Sequence, residues 1–209
     1  MTRIRVKVCG LCTLADAEHA IIAGADAIGM VFYSKSPRYI SITDAQEIVS
    51  HIPPFASTVG LFVNSSSDTV RNVLSEVPLD LLQFHGDEDE SFCKSFHRPY
   101  IKAVRVKADT DLLHICQQYS SARGVLLDSY KKGTPGGTGE TFDWSMIPPK
   151  LPLPVVLAGG LDANNVAEAV SAVHPWAVDV SSGVEHSAGK KDRQKVEQFI
   201  RAVERSRKF

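Results

Sequence analysis

Charge of one sign is not in excess in this sequence: 23 lysines and arginines face 24 aspartates and glutamates, for a formal net charge of −1 at pH 7. Nucleic acid therefore has no bulk electrostatic attraction to the chain. No apolar run approaches the ~20 residues of a membrane-spanning helix. The opening Met1-Thr2-Arg3-Ile4-Arg5-Val6 lacks the apolar stretch of a secretory signal and leads straight into a strand-like run. These absences point to a cytoplasmic protein with neither nucleic acid nor membrane as a partner. Cysteine is scarce, with only Cys9, Cys12, Cys93 and Cys116, and in a cytosol these are most simply reduced thiols. Cys9 and Cys12 have CxxC spacing, but no second CxxC follows, so no metal is expected. Linkers, low-complexity tracts and charge blocks are missing too, and residues 1–209 read as one domain.

What is present is one alternation, repeated. Strand-like runs cover 4–9, 27–32, 57–63, 81–85, 100–104, 124–128, 155–158 and 177–180. Helix-like stretches cover 14–23, 43–52, 68–77, 88–96, 111–118, 163–173 and 192–207, with apolar residues at helical spacing such as Ile48, Val49 and Ile52. The stretch after the sixth strand, around residues 144–147, is short. Strands alternating with helices imply βαβ units and a parallel sheet. Eight units in 209 residues suit a single-domain α/β protein of the (β/α)8, or TIM barrel, class. A doubly wound open sheet is the main rival, weakened in its dinucleotide-binding version because no GxGxxG follows the first strand.

Side chains on a strand alternate between faces. Val6 and Val8 share one face of the first strand, and Lys7 and Cys9 share the other. The same parity opposes Leu82 and Phe84 to Gln83 and His85, Val125 and Leu127 to Leu126 and Asp128, and Val178 and Val180 to Asp179. The outer face of a barrel packs on helices and should be apolar. Lys7, Cys9, Gln83, His85, Asp128 and Asp179 are thus expected to point inward, most of them near strand C-termini, where barrel active sites sit. Cys9 offers a thiol and Asp128 a carboxyl across one mouth, a set suited to acid–base chemistry.

A second constellation is rich in glycine. Leu157-Ala158-Gly159-Gly160-Leu161 follows the seventh strand and Val180-Ser181-Ser182-Gly183-Val184 the eighth. Glycines let backbone amides approach a ligand, and loops after strands seven and eight form the usual barrel phosphate site. Gly159-Gly160 alone would suit a mere tight turn; their pairing with Ser181-Ser182-Gly183 favours a phosphate. A third segment, residues 132–140, has four glycines in nine positions and suits a lid or a passive connection. Ser36-Pro37-Arg38-Tyr39 puts an arginine near the mouth, where it could clamp a carboxylate or stack on a ring, or simply lie in solvent.

Taken together, the motifs Lys7-Val8-Cys9-Gly10-Leu11, Ser36-Pro37-Arg38-Tyr39, Gln83-Phe84-His85-Gly86, Leu127-Asp128-Ser129, Gly136-Gly137-Thr138-Gly139, Ala158-Gly159-Gly160-Leu161 and Val178-Asp179-Val180-Ser181-Ser182-Gly183-Val184-Glu185 resemble the phosphoribosylanthranilate isomerase family over nearly the whole chain. The resemblance implies that Cys9 is the catalytic base and Asp128 the catalytic acid. It implies that Arg38 contacts the anthranilate part and that Gly159, Gly160, Ser181 and Ser182 bind phosphate. His85 and Asp179 are taken as residues lining the substrate site. Two positions depart from the family pattern: Cys12 stands where threonine is common, and Ala188 replaces the usual proline before Gly189. Neither touches the acid or the base.

The implied reaction is an Amadori rearrangement of a phosphosugar in tryptophan biosynthesis. It needs an acid for ring opening and a base for the C2 hydrogen, and no cofactor. A thiol with a reference pKa of about 8.5 is mostly protonated near neutrality. Lys7, two residues below Cys9 on the same face, is one source of help, unless it simply pairs with Asp179. Asp128 has the opposite need and must hold a proton. Another phosphosugar barrel enzyme, such as a pentose-phosphate epimerase, and a non-catalytic barrel remain as alternatives. The first needs metal ligands where this chain has Cys9, and the second would be expected to lose Cys9 or Asp128. A monomer and a homodimer are equally compatible with the sequence.

Overall fold

In the computed structural model, which describes residues 3–129 and 143–206, eight parallel strands close into one barrel in chain order. They are β1 Arg5–Cys9, β2 Ala27–Val31, β3 Ser57–Phe62, β4 Leu81–Phe84, β5 Tyr100–Val106, β6 Gly124–Ser129, β7 Val155–Leu157 and β8 Ala177–Val180. β1 pairs with both β2 and β8, which rules out the open sheet. The helices are α1 Leu14–Ala23, α2 Ile42–His51, α3 Ser67–Glu76, α4 Glu90–Lys94, α5 Leu112–Gln118, α6 Val166–Val173 and α7 Arg193–Arg205. Among the described residues no helix is long and apolar enough to cross a membrane.

Helix starts are written into the local sequence. Thr13, Ser41, Ser66, Asp89, Asp111 and Asp192 each accept a hydrogen bond from the backbone N–H three residues on. Each such cap satisfies a donor that the helix itself leaves unpaired and is typically worth ~1 kcal/mol.

Residue parity divides the interior as the alternation requires. Val6, Val8, Ile28, Met30, Phe62, Leu82, Phe84 and Val178 are buried against the helices. Inside the barrel, Ile101, Ala103, Leu126, Val156, Ala158 and Ala177 form an apolar floor. Above it, buried Lys7, Gln83, Asp128 and Asp179 make the mouth polar. The register sets Lys7 beside Asp179 and Arg105 beside Asp128.

Most element ends differ from expectation by a residue or two, and three of the shifts have a clear local reason. β5 runs on to Val106, which adds Arg105 to the inner face. α4 starts at Glu90 because Asp89 is its cap and Glu88 turns inward instead. The buried Glu88 carboxylate accepts from the N–H groups of Asn64 (2.7 Å) and Gly86 (2.9 Å) and from Lys102 Nζ (2.9 Å). α6 starts at Val166, because Asn165 and Asp162 bond to each other's backbone N–H groups in a turn ahead of it. Between β6 and β7 the described residues hold only one 3-10 turn, Trp144–Met146, capped by Asp143, in keeping with the short stretch expected there. A hairpin that sequence patterning did not reveal, β9 Glu185–Ser187 with β10 Lys190–Lys191, follows β8. The glycine-rich segment 132–140 lies outside the described residues.

Candidate active site

The mouth of the barrel opens into a cavity of about 470 Å³. Its lining brings together Cys9, Arg38, His85, Asp128, Gly159, Gly160, Asp179, Ser181 and Ser182, so every site residue expected from the sequence borders this one space. β1 delivers Cys9 and β6 delivers Asp128 from separate parts of the barrel wall.

Cys9 is buried, with 4% of its surface exposed. Burial pushes its thiol above the ordinary range, and the nearby Asp179 carboxylate adds to the rise. The Lys7 ammonium acts in the other direction. Lys7 Nζ donates to Asp179 Oδ1 at 2.9 Å. Burial disfavours the charged lysine, but Asp179 and Cys9 outweigh that cost and raise its pKa, so it stays protonated. The two roles weighed for Lys7 are therefore held together: it pairs with Asp179 and presents a fixed positive charge to Cys9.

Asp128 is anchored at one oxygen and approached closely at the other. Oδ1 accepts from the Ser129 N–H at 2.8 Å, and Oδ2 lies 3.2 Å from His85 Nε2. Gln83 Nε2 is 3.1 Å from His85 Nδ1. With the amide donating to Nδ1, the neutral imidazole carries its hydrogen on Nε2, facing the Asp128 carboxyl. Gln83 Oε1, His85 Nε2 and Arg105 Nε are buried without a well-formed hydrogen bond among the described residues. All three residues line the cavity. Unsatisfied buried polar atoms are costly, and their clustering here marks a surface built to bind something polar.

The far end of the cavity is backbone. Gly159 and Gly160 both have positive φ, +81° and +65°. A Cβ on Gly159 would collide with the Ser129 N–H and stand 2.9 Å from Asp128 Oδ1. Asn165 fixes this loop: its side-chain amide donates to the Gly160 carbonyl at 2.8 Å and accepts from the Asp162 N–H at 2.9 Å. After β8, a 3-10 turn at Ser182–Val184 carries the chain past the same end.

Arg38 is not loose in solvent. It donates from Nε and Nη2 to the two carboxylate oxygens of Glu185, at 2.8 and 2.7 Å. Cys12 sits half-buried in the loop after β1, with Sγ near the carbonyls of Gly10 and Tyr39 rather than beside Cys9. Cys93 and Cys116 are buried away from the mouth, and burial pushes the Cys93 thiol up to about 12.

Patterning missed Arg105, Glu185 and Lys191. Parity along β5 from Ile101 and Ala103 would have found Arg105 had the strand been drawn one residue longer. Glu185 closes the last motif, but nothing in the one-dimensional spacing links it to Arg38, 147 residues earlier.

Fold and cavity define the class: a (β/α)8-barrel enzyme with acid–base groups at its mouth. The family model described as N-(5'phosphoribosyl)anthranilate (PRA) isomerase matches residues 6–202, and the chain belongs to that family. The N-(5'-phosphoribosyl)anthranilate isomerase of Pseudomonas putida strain F1 is 54% identical over 206 residues, covering 99% of this chain and 100% of that protein. The crystal structure of phosphoribosyl anthranilate isomerase from Thermotoga maritima is 41% identical with a TM-score of 0.88, over 96% of this chain and 98% of that one. A phosphoribosyl anthranilate isomerase solved in complex with reduced 1-(o-carboxyphenylamino)-1-deoxyribulose 5-phosphate is 40% identical with a TM-score of 0.85, over 96% and 98% of the two chains.

Proposed function

We propose that this chain catalyses the Amadori rearrangement of N-(5-phosphoribosyl)anthranilate to 1-(2-carboxyphenylamino)-1-deoxyribulose 5-phosphate in tryptophan biosynthesis. One observation carries the chemistry. A thiol and a carboxyl, Cys9 and Asp128, lie at the C-terminal ends of two strands of one barrel and border one cavity.

Asp128 acts as general acid and protonates the furanose ring oxygen. The bond from that oxygen to C1 breaks, and the aniline nitrogen lone pair completes a Schiff-base cation. The positive nitrogen acidifies the C2 hydrogen, which Cys9 removes as a thiolate. The C2–H electron pair forms the enolamine; on ketonisation C1 takes a proton and the C2 hydroxyl releases one, and exchange with solvent returns the Cys9 thiol to thiolate and reprotonates Asp128, so protons balance over the cycle. Lys7 supports this role, because a fixed ammonium lowers the cost of placing negative charge on a buried sulfur. Asp179 keeps that ammonium in place through its 2.9 Å contact. The backbone of Gly159, Gly160, Ser181 and Ser182 receives the phosphate, and Arg38 the anthranilate carboxylate. His85 orients Asp128 and lines the sugar site. The scheme routes no step through a metal or organic cofactor. The protein works in the cytoplasm, as a monomer or a homodimer that sedimentation velocity tells apart.

Freshly formed phosphoribosylanthranilate is fluorescent, and its loss reports turnover. Cys9→Ala and Asp128→Asn should each reduce kcat by at least about a hundredfold, the lower end of general acid–base contributions. Affinity for a product analogue should change far less. Near-native turnover in either variant removes that residue from its role.

A further inference from the structure

We propose that Glu185 is a positioning residue that sets specificity for a carboxylated aromatic group, by clamping one edge of Arg38 so that the other edge faces the cavity. The inference rests on the assignment of Arg38 to the anthranilate carboxylate.

Glu185 opens the hairpin after β8 and is almost fully buried. Its Oε2 accepts from Arg38 Nη2 at 2.7 Å, and its Oε1 accepts from Arg38 Nε at 2.8 Å, Lys191 Nζ at 2.8 Å and the Gly189 N–H at 3.3 Å. The planar guanidinium is thereby fixed in tilt and depth, which one point contact would not do. The pairing uses the Nε hydrogen and one Nη2 hydrogen. Both Nη1 hydrogens and the second Nη2 hydrogen remain, and Arg38 lines the cavity. That leaves a donor edge shaped for a second carboxylate.

The stem of Arg38 is held as closely as its head. Gly10 has φ +76°, and a Cβ there would stand 2.5 Å from Arg38 Cδ and 3.1 Å from Ser181 Oγ. Only glycine lets the arginine cross the strand-one loop at this depth. Lys191 completes the unit. Its ammonium reaches both Glu185 Oε1 and the Ser181 carbonyl, at 2.8 and 3.2 Å. One buried carboxylate thus ties the arginine at the aromatic end to the backbone at the phosphate end. Within this cluster Arg38 and Lys191 outnumber Glu185 by one charge.

Removing Glu185 has two opposed effects. Losing a negative charge strengthens attraction for an anion, while losing two charge-assisted hydrogen bonds frees a long side chain to leave its productive direction. The first effect has no preferred direction, whereas the second removes the fixed fork that a planar carboxylate needs in order to be bound at two points, so positioning should win.

Binding of two probes decides the matter: reduced product, and the same compound without its ring carboxylate. Wild type should prefer the carboxylated probe about tenfold to a hundredfold, the range of a charge-assisted contact. Glu185→Gln should lose most of that preference while binding the plain probe within about threefold of wild type. The double variant Arg38→Met with Glu185→Gln should discriminate no less than Arg38→Met alone, because Glu185 acts through Arg38. A preference in Glu185→Gln equal to or above that of wild type overturns the proposal, as does equal weakening of both probes. If Arg38→Met itself keeps the preference, the Arg38 assignment fails and the proposal with it. If Arg38→Met loses it and Glu185→Gln does not, only the Glu185 proposal falls. Should Glu185→Gln not fold, Lys191→Gln serves instead. It neutralises the net charge and unties Glu185, so the preference should shrink, and an unchanged preference refutes the proposal.

Discussion

Lys7→Met tests the electrostatics of the base directly. The ammonium lies beside Cys9 and opposes the rise that burial imposes on the thiol. An opposite charge at such range typically moves a pKa by ~1–3 units, so its removal should leave about tenfold to a thousandfold less thiolate at any pH below the thiol pKa. The sign follows from the role. A general base must be deprotonated, so kcat/KM climbs with pH until Cys9 has ionised. Because burial raises the thiol above its ordinary range, the climb in the wild type should continue beyond the usual thiol range. In Lys7→Met it should move to still higher pH. Iodoacetamide reads the same ionisation without turnover, since only the thiolate reacts. Inactivation should follow alkylation of Cys9, identified by peptide mapping, and a bound product analogue should slow it. A Cys12→Ser background removes the nearest competing thiol. Lys7→Met also strands the buried Asp179 carboxylate, which is destabilising. Adding Asp179→Asn relieves that charge, and Asp179→Asn alone is the reference for the double variant, because the carboxylate itself raises the Cys9 thiol. If the pH midpoint of Cys9 alkylation is the same with and without Lys7, the lysine does not tune the base. If alkylation of Cys93 or Cys116 tracks inactivation while Cys9 stays free, Cys9 is not the reachable thiol.

Gly160→Val should raise KM at least about tenfold with a smaller change in kcat, because a branched side chain at φ +65° both strains the loop and obstructs the amides proposed to receive phosphate. Steady-state kinetics checks this, and equal binding of a dephosphorylated product analogue by wild type would refute the phosphate assignment. Lys102→Met should cost about 3–5 kcal/mol in urea unfolding, since it leaves Glu88 buried without the cation it meets at 2.9 Å. KM in that variant should hold near its native value, because neither residue borders the cavity.

Sequence alone determined the eightfold strand–helix alternation and the facing of the strands, while the pairing of β1 with β8 excluded the open sheet. Period-two patterning is a local property, since a residue's face depends only on its place along its own strand. Parity therefore assigned Lys7, Cys9, Gln83, His85, Asp128 and Asp179 to the inside of the barrel. Most helix starts were equally local, carried by side chains such as Ser41 and Asp192 that bond three residues ahead. What lay beyond the sequence was pairing across the chain. That Lys7 would meet Asp179 while also flanking Cys9 depends on closure of β1 against β8, joining residues 172 apart. Glu88 read as the start of a helix, and only the packing of β5 against the β4–α4 turn made it the buried partner of Lys102. The hairpin 185–191 is too short to show a period, yet it brings Glu185 and Lys191 onto Arg38 and the Ser181 carbonyl. Periodicity records which way a side chain points. Which other side chain waits there is decided when the sheet closes and buried charges, costly if left alone, take the partners within reach.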